Sequence, residues 1–552
     1  MKNVSRLILV GMLVGAVCVA GCSSNHAKST GIKGYRPAIP GYPASPNSVA
    51  ADTPMPTMVA PPSTPPPMPA RQVPIPTPNT ESYDQIHDNE YQRVVDAPLS
   101  TFSIDVDTAS YANVRRFLND GTLPPKDAVR VEEFINYFSY DYPQPTDDKP
   151  FSVVANLVEC PWNKEHTLAR IALRGKELPK EDARPSNLVF LIDVSGSMAD
   201  EDKLPLVQRS MTFLLDGLGN RDRVAIVVYA GASGLVLPST SCDKKQAIRD
   251  AIGNLSAGGS TNGGEGIQLA YKVAEENFRE HGNNRVILAT DGDFNVGITD
   301  HDQLTKLIEE KRKTGIFLTT LGFGGGNYQD PTLEQLADKG NGNCSYIDSF
   351  NEAKKVFGTQ LTGTLFTIAK DVKIQVEFNP AKVAEYRLIG YENRVLADKD
   401  FNDDTKDAGE IGAGHTVTAL YELTPVGRGA SETKPAVDPL KYQDKPALAE
   451  AASGKEVMTV KLRYKLPKSD ESTLIVLPVE ERVEWFANAP VDMKFASAVA
   501  AFGMLLRDSP HKGNATYDMV IDAAKAGMGE DTFGYRAEFV SLVHKAKGVK
   551  VN

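Results

Sequence analysis

Residues 187–197 read Asn-Leu-Val-Phe-Leu-Ile-Asp-Val-Ser-Gly-Ser and join an apolar run to a polar loop. The apolar run is nearly continuous, which is typical of a strand that is buried on both faces of a sheet. The loop places Asp193, Ser195 and Ser197 at alternate positions, and in locally extended chain such side chains point the same way. This stretch therefore predicts a parallel strand whose end carries three side-chain oxygens aimed at one point.

Further apolar strands and amphipathic helices follow this first strand. The strands are predicted at 223–229, 285–290 and 315–321. A helix between the first two of these is predicted to have its apolar stripe at Ile267, Ala270, Ala274 and Phe278 and to end at Gly282. The alternation predicts an α/β fold with a doubly wound, mainly parallel sheet. Such sheets bind ligands beyond the carboxyl ends of their strands.

Two more polar clusters lie where such a sheet would bind a ligand. The loop 258–264 reads Gly-Gly-Ser-Thr-Asn-Gly-Gly and places the hydroxyl of Thr261 ahead of a helix. The sequence Thr-Asp-Gly-Asp at 290–293 includes Asp291 and comes at the end of the strand at 285–290. Asp-x-Ser-x-Ser alone is a weak signal, but followed in this order by the other two clusters it becomes a specific one.

Residues 187–370 resemble the von Willebrand factor type A domain, and the three clusters match its metal-ion-dependent adhesion site. The resemblance assigns the metal ligands to Asp193, Ser195, Ser197, Thr261 and Asp291. In that family an aspartate or glutamate of a partner protein takes one coordination position of the ion. The resemblance therefore implies a protein partner that offers a carboxylate. The longer arrangement is similar to a group of bacterial lipoproteins that carry this domain between two other regions.

The chemistry of the five side chains agrees with that assignment. All of them offer hard oxygen atoms, which favours Mg²⁺, Mn²⁺ or Ca²⁺ over zinc or copper, and we expect Mg²⁺. Helix capping is the alternative role for Ser195, Ser197 and Thr261. Asp293 and Glu265 are expected at the rim and are not interpreted as ligands.

The resemblance also raises a hypothesis about coupling between sites. In the family, the last helix of the type A domain moves when the metal site binds its ligand. Here that helix is predicted at 351–369, with inward positions at Val356, Leu361, Leu365 and Ile368.

The N-terminus has the layout of a secretion signal, with Lys2 and Arg6 ahead of an apolar run. The sequence Val-Ala-Gly-Cys at 19–22 resembles the lipobox of bacterial lipoproteins, in which the cysteine is acylated. This predicts a signal peptide at 1–21, a lipidated Cys22 and a location in the bacterial cell envelope, with the outer membrane favoured because Ser23 follows. Residues 22–79 include 15 prolines and are interpreted as a disordered stalk.

Three cysteines lie beyond the predicted signal peptide and lipidation site: Cys160, Cys242 and Cys344. In an oxidising compartment these three can form at most one intramolecular disulfide.

Regions of different character flank the type A domain. Residues 80–150 are predicted as an α/β extension, in which Asp105 and Asp107 lie in an acidic loop that lacks the glycine and distal glutamate of an EF-hand. Strands at 151–186 and a β-rich region at 371–482 alternate apolar and polar residues with period 2, as half-buried antiparallel strands do. They are expected to form one β-sandwich into which the central domain is inserted. Residues 483–552 are predicted to be helical, with Phe495, Val499, Phe502 and Leu506 on one face.

The composition and the missing motifs limit the functional class. Sixty basic and 71 acidic residues give a net charge of −11, which argues against nucleic-acid binding. The phosphate-loop, His-Glu-x-x-His and Gly-x-Ser-x-Gly motifs are absent, so neither an enzyme nor a small-molecule substrate is expected. The sequence favours a lipid-anchored protein that binds a protein partner through a metal ion. The alternatives are a scaffold or regulatory protein whose metal only stabilises the domain and, more remotely, a metal-dependent hydrolase.

Overall fold

The structure is a computed structural model that describes residues 79–178, 184–230, 233–258, 264–292, 301–360, 363, 365–428 and 448–549. The predictions for the signal peptide, Cys22, the stalk up to residue 78, Thr261 and Asp293 lie outside these residues. The chain divides into two units after Pro74, and every described residue belongs to the second unit. Among the described residues, no helix has the length and apolar character needed to cross a membrane.

In the central region, at 186–347, strands and helices follow one another along the chain, as the sequence pattern predicts. The strands are β1 (Gln92–Arg93), β2 (Leu99–Ser103), β3 (Phe151–Glu159), β4 (Thr167–Gly175), β5 (Ser186–Asp193), β6 (Arg223–Tyr229), β7 (Ser233–Ser241), β8 (Asn283–Thr290), β9 (Ile316–Phe323), β10 (Cys344–Ile347), β11 (Thr367–Phe378), β12 (Val383–Ile389), β13 (Gly409–Gly412), β14 (Thr416–Pro425), β15 (Glu456–Lys465), β16 (Ser472–Glu480) and β17 (Val483–Glu484). The α-helices are α1 (Ala109–Asn119), α2 (Val131–Asn136), α3 (Leu204–Gly217), α4 (Lys245–Gly253), α5 (Gly264–Glu276), α6 (His301–Lys313), α7 (Asp330–Lys339), α8 (Phe350–Lys354), α9 (Val491–Arg507), α10 (Tyr517–Ala526) and α11 (Tyr535–Gly548).

The central sheet has the strand order β10-β9-β8-β5-β6-β7, and only the edge strand β7 runs antiparallel to its neighbour. One face packs against α3, α4 and α8, and the other against α5, α6 and α7. Apolar side chains alternate between the two cores along each strand, which is why the strands read as continuous apolar runs. The predicted doubly wound α/β sheet is therefore confirmed. Ala109 and Ala112 of α1 also belong to the second core, so the N-terminal extension completes this face.

Strands from before and after the central domain pair in one β-sandwich, as the sequence predicts. One sheet has the order β1-β12-β14-β4-β3-β17, and the other has the order β13-β11-β15-β16, with β2 also on β11. Strands on the two sides of the central domain pair at β1–β12, β2–β11 and β3–β17, and most extensively in the antiparallel pairing of β4 with β14, from Thr167↔Leu423 to Arg174↔Thr416. The central domain is thus inserted between strands that are neighbours in one sheet.

The expected half-exposure of β14 is wrong, because this strand is buried on both faces. Val417, Ala419, Tyr421 and Leu423 face the sandwich core, as their alternation predicts. Leu420 faces the opposite way, into a core that the C-terminal helices α9, α10 and α11 form against the outside of this sheet. The four residues predicted to share one face of α9, Phe495, Val499, Phe502 and Leu506, lie in that helical core.

Two predicted helices in the central domain end earlier than expected. Helix α5 ends at Glu276, so Phe278 lies beyond it with 43% of its surface exposed. The last helix, predicted at 351–369, includes α8, a π-helical turn over Lys355–Thr359 and the helical residues Gly363 and Leu365, and β11 begins at Thr367.

The predicted inward positions of the last helix therefore divide between two cores. Val356 and Leu365 are buried in the central domain. Ile368 lies on β11 and packs against the sandwich core, and Leu361 lies outside the described residues. The three cysteines, Cys160, Cys242 and Cys344, are buried free thiols.

Candidate metal centre

The candidate site lies at the carboxyl edge of the central sheet, where β5 and β8 end side by side. These parallel strands pair up to Ile192↔Ala289, so the residues that follow leave the sheet at the same edge. Asp193 and Asp291 are both fully buried there. The electrostatic effect of Asp291 on the pKa of Asp193 is a second sign that the two carboxylates are close. The structure thus brings together the first and third sequence clusters.

The loop after β5 folds back on its own aspartate. The backbone N–H of Ser195 donates to Oδ1 of Asp193 at 2.8 Å, and the Oγ atoms of Ser195 and Ser197 are 3.0 Å apart. Neither hydroxyl caps α3, because that helix starts at Leu204 and has no side-chain cap. The capping alternative is therefore wrong for the two serines. Their hydroxyls and the Asp193 carboxylate remain together as a cluster of oxygen donors.

Asp291 uses one carboxylate oxygen and leaves the other without a partner. Its Oδ2 accepts a hydrogen bond from Nζ of Lys203 at 2.9 Å. Its Oδ1 is buried and has no hydrogen-bond partner among the described residues. A buried carboxylate oxygen in this state is costly unless a cation or a proton donor satisfies it. Oδ1 is therefore the atom that most directly indicates a missing ligand.

Thr290 connects the two aspartates. Its Oγ1 donates to Oδ2 of Asp193 at 3.2 Å and accepts from the backbone N–H of Gly292 at 3.2 Å. Burial, together with the nearby charge of Asp291, raises the pKa of Asp193 to about 6, although hydrogen bonds from Ser195 and Thr290 oppose this rise. The negative charge of Asp193 is therefore held at a cost, which a divalent cation would relieve.

Gly292 allows the Asp291 loop to pack closely against the loop that follows β9. Its φ of +108° is a conformation that other residues rarely adopt. A Cβ atom at this position would lie 2.5 Å from the backbone oxygen of Asn327 and 2.6 Å from the backbone nitrogen of Gln329. Glycine is thus required for the turn that presents Asp291.

Thr261 lies outside the described residues, but both ends of its loop are fixed beside the site. The backbone N–H of Gly258 donates to the backbone oxygen of Val194 at 2.7 Å. At the other end α5 begins at Gly264, and a Cβ on Gly266 would lie 2.9 Å from Cβ of Tyr229. The assignment of Thr261 as a ligand stays a prediction. Glu265, in the first turn of α5, is exposed.

The donor set fits a hard divalent cation. Asp193, Ser195, Ser197 and Asp291 offer only oxygen atoms, and one of those atoms, Oδ1 of Asp291, is buried and has no partner in the part of the chain that the structure describes. These side chains would hold the ion, which would supply a positive charge able to bind a further anionic oxygen. Sequence reasoning missed Lys203, which contacts Asp291 and belongs to no recognisable motif. It included Thr290 in the third cluster but did not assign it the contact with Asp193.

A separate acidic cluster, formed by Asp105, Glu133 and Glu334, is neutralised by arginines. Arg394 lies 3.3 Å from Asp105 and 3.2 Å from Glu334, and Arg130 pairs with Glu133 and Glu334. These ion pairs join the N-terminal extension and the sandwich to α7. The acidic loop at 103–108 therefore has a structural explanation that needs no metal.

Comparisons with known proteins support the identification of a type A domain in the centre of the chain. Family models described as von Willebrand factor type A domain, von Willebrand factor, and Uncharacterized protein YfbK, C-terminal, match residues 187–359, 77–170 and 363–549 respectively. The chain is 46% identical over 490 residues to the uncharacterized protein YfbK of Escherichia coli (strain K12), which covers 87% of this chain and 83% of that protein. It is 32% identical over 188 residues to the uncharacterized protein sll0103 of Synechocystis sp., which covers 34% of this chain and 44% of that protein.

Among solved structures, a von Willebrand factor type A protein from Catenulispora acidiphila is similar over 72% of this chain and 91% of its own, with 17% identity and a TM-score of 0.40. The type A domain predicted for the centre of the chain is confirmed by the family model that matches it.

Proposed function

Since the chain belongs to the family of the Escherichia coli protein YfbK and carries a von Willebrand factor type A domain, we propose that it binds a protein partner through a divalent cation. The ion would be held by Asp193, Ser195, Ser197 and Asp291, with Thr261 completing the set. The observation that carries the proposal is Oδ1 of Asp291, which is buried beside a cluster of other oxygen donors and has no hydrogen-bond partner within the described ranges.

The composition of the site explains why a partner carboxylate would bind there. Two aspartates balance the charge of a divalent ion, three hydroxyl groups add none, and the ion pair of Lys203 with Asp291 leaves the site with an excess of positive charge. The ion also keeps coordination positions that water can fill. A partner's aspartate or glutamate can replace one of those waters and gain a charge-assisted contact in a partly buried setting. Mg²⁺ is the favoured ion because all the donors are hard oxygens and it keeps exchangeable waters. The role is therefore one of adhesion or complex assembly rather than catalysis.

We also propose that the protein works from the bacterial cell envelope. The lipobox-like sequence at 19–22 would attach Cys22 to lipid, with the outer membrane favoured. The proline-rich stalk would then hold the unit from Ile75 onward away from the membrane surface. Such a tether suits a protein that reaches a partner in another layer of the envelope.

Metal-dependent capture of the partner tests this function. The chain from Ile75 onward, which contains every described element, is immobilised and exposed to envelope extract with Mg²⁺, with chelator, and with Mg²⁺ restored. We expect one protein to bind with Mg²⁺, to be released by chelator and to return with Mg²⁺. Asp193→Ala should abolish the capture, and Glu265→Ala, a change of an exposed acidic residue outside the ligand set, should not.

Capture that survives Asp193→Ala in a folded protein would overturn the proposal. That result would favour the scaffold role, in which the metal only stabilises the domain.

A further inference from the structure

Lys203 is a buried lysine that touches the candidate metal centre. Its side chain is 7% exposed, and its Nζ lies 2.9 Å from Oδ2 of Asp291 and 3.3 Å from Oδ1 of Asn327. Neither Asp193 nor either serine of the site makes a hydrogen bond to it among the described residues. The ammonium group is therefore directed at one oxygen of one ligand.

The position of this ammonium group is fixed by packing. A Cβ atom on Gly324, which has a φ of +65°, would lie 2.4 Å from both Cγ and Cε of Lys203. The lysine stem thus runs in contact with the backbone of the loop that follows β9. At its own backbone, the N–H of Lys203 donates to the oxygen of Asp200 at 3.0 Å, just before α3 begins. A side chain held at both ends cannot easily leave Asp291 when an ion binds.

The two carboxylate oxygens of Asp291 have different surroundings. Oδ2 already accepts the hydrogen bond from the lysine, whereas Oδ1 has no partner among the described residues and is the oxygen readily available to an ion, either directly or through a bound water. This matters for the identity of the ion. Mg²⁺ requires a compact octahedral shell, whereas Ca²⁺ takes six to eight oxygens and readily accepts both oxygens of one carboxylate.

We propose that Lys203 is a specificity-determining residue that makes the centre selective for Mg²⁺ over Ca²⁺ by restricting Asp291 to one oxygen. The inference rests on the proposed function, since it assumes that the site binds a divalent ion. It goes beyond that function because it assigns ion selectivity to a residue outside the ligand set.

Two effects of removing the lysine charge can be separated by comparing ions. Loss of a nearby positive charge strengthens the binding of both Mg²⁺ and Ca²⁺, because each carries the same charge. Release of Oδ2 benefits mainly Ca²⁺, which can use the second oxygen. The ratio of the two affinities therefore reports on the one-oxygen restriction alone.

The test is calorimetric titration of Mg²⁺ and Ca²⁺ into the metal-stripped chain from Ile75 onward, in the natural sequence and in Lys203→Met. We expect Lys203→Met to raise the affinity for Ca²⁺ at least tenfold more than the affinity for Mg²⁺. Lys203→Arg, which keeps a charged donor beside Asp291, should retain the natural ratio. Lys203→Leu, which likewise has no hydrogen-bond donor, provides a second neutral variant if the methionine variant does not fold.

The outcomes distinguish failure of the selectivity role of Lys203 from failure of metal binding at the site. If the natural chain binds Mg²⁺ but a folded neutral variant changes both affinities by the same factor, the selectivity proposal is wrong and the metal centre stands. If the natural chain binds neither ion, the metal-dependent function itself fails, and the role of Lys203 fails with it.

Discussion

Replacing Arg115 with methionine removes the main ionic contact between the N-terminal extension and the end of the central domain. Arg115 lies on α1 with its side chain 4% exposed, and its Nε and Nη2 donate to both oxygens of Asp348 at 2.7 and 2.5 Å. Nη2 also donates to Glu352 of α8 at 2.6 Å. Methionine keeps an unbranched apolar stem but offers neither the charge nor the donors.

The size of the effect follows from what is left behind. Breaking a buried ion pair by removing one partner costs about 3–5 kcal/mol, because the other charge stays buried without compensation. Glu352 keeps a hydrogen bond from the hydroxyl of Tyr137 at 2.7 Å, so the loss falls mainly on Asp348. We therefore expect one such penalty rather than two, and a fall of about 3–5 kcal/mol in the free energy of unfolding.

Urea unfolding followed by fluorescence and circular dichroism measures this change. The matched control is Lys126→Met, which also removes a cationic partner, but from an exposed pair with Asp508 at 3.0 Å. Exposed pairs contribute roughly 0–1 kcal/mol, so the control should unfold nearly as the natural chain does. If Arg115→Met costs no more than Lys126→Met, the reasoning about this buried contact is refuted.

Three other predictions concern the metal centre and the cores. Because burial and the charge of Asp291 raise the pKa of Asp193 to about 6, protons should compete with the ion at unusually high pH. Metal affinity measured by calorimetry should be constant above about pH 7 and fall roughly tenfold per pH unit below about pH 6, and no change between pH 7 and pH 5 would contradict this. Gly292→Ala should weaken metal binding at least tenfold, since the new Cβ would collide with the backbone of Asn327; unchanged affinity would show that the loop adapts. A thiol reagent should label the native chain from Ile75 onward slowly and the unfolded chain at three sites, and fast native labelling would contradict the burial of Cys160, Cys242 and Cys344.

The sequence predicted the parts of the fold that depend on local patterns. Apolar runs such as 187–193 identify buried strands because both faces of the central sheet are covered, and the polar loops after them identify the sheet edge that carries the site. Asp193, Ser195, Ser197 and Asp291 were predicted because two short motifs contain them.

Features that depend on long-range packing could not be read in the same way. The outer face of β14 is buried because helices about 70 residues further on cover it, and nothing in the strand's own alternation indicates that cover. Lys203 reaches Asp291 because its stem packs against Gly324, in the loop that follows β9, more than 100 residues further along the chain. The last predicted helix stops short of Ile368 because β11 begins at Thr367 and pairs with β2 and β15, which are distant in the sequence.

Magnesium titration of the natural chain and Asp193→Ala tests the central claim most directly. We expect calorimetry on the metal-stripped chain from Ile75 onward to show one bound ion, with no binding by Asp193→Ala and unchanged binding by Glu265→Ala. Equal binding by the natural chain and a folded Asp193→Ala variant, or no binding by either, would contradict a metal centre at the carboxyl edge of the central sheet.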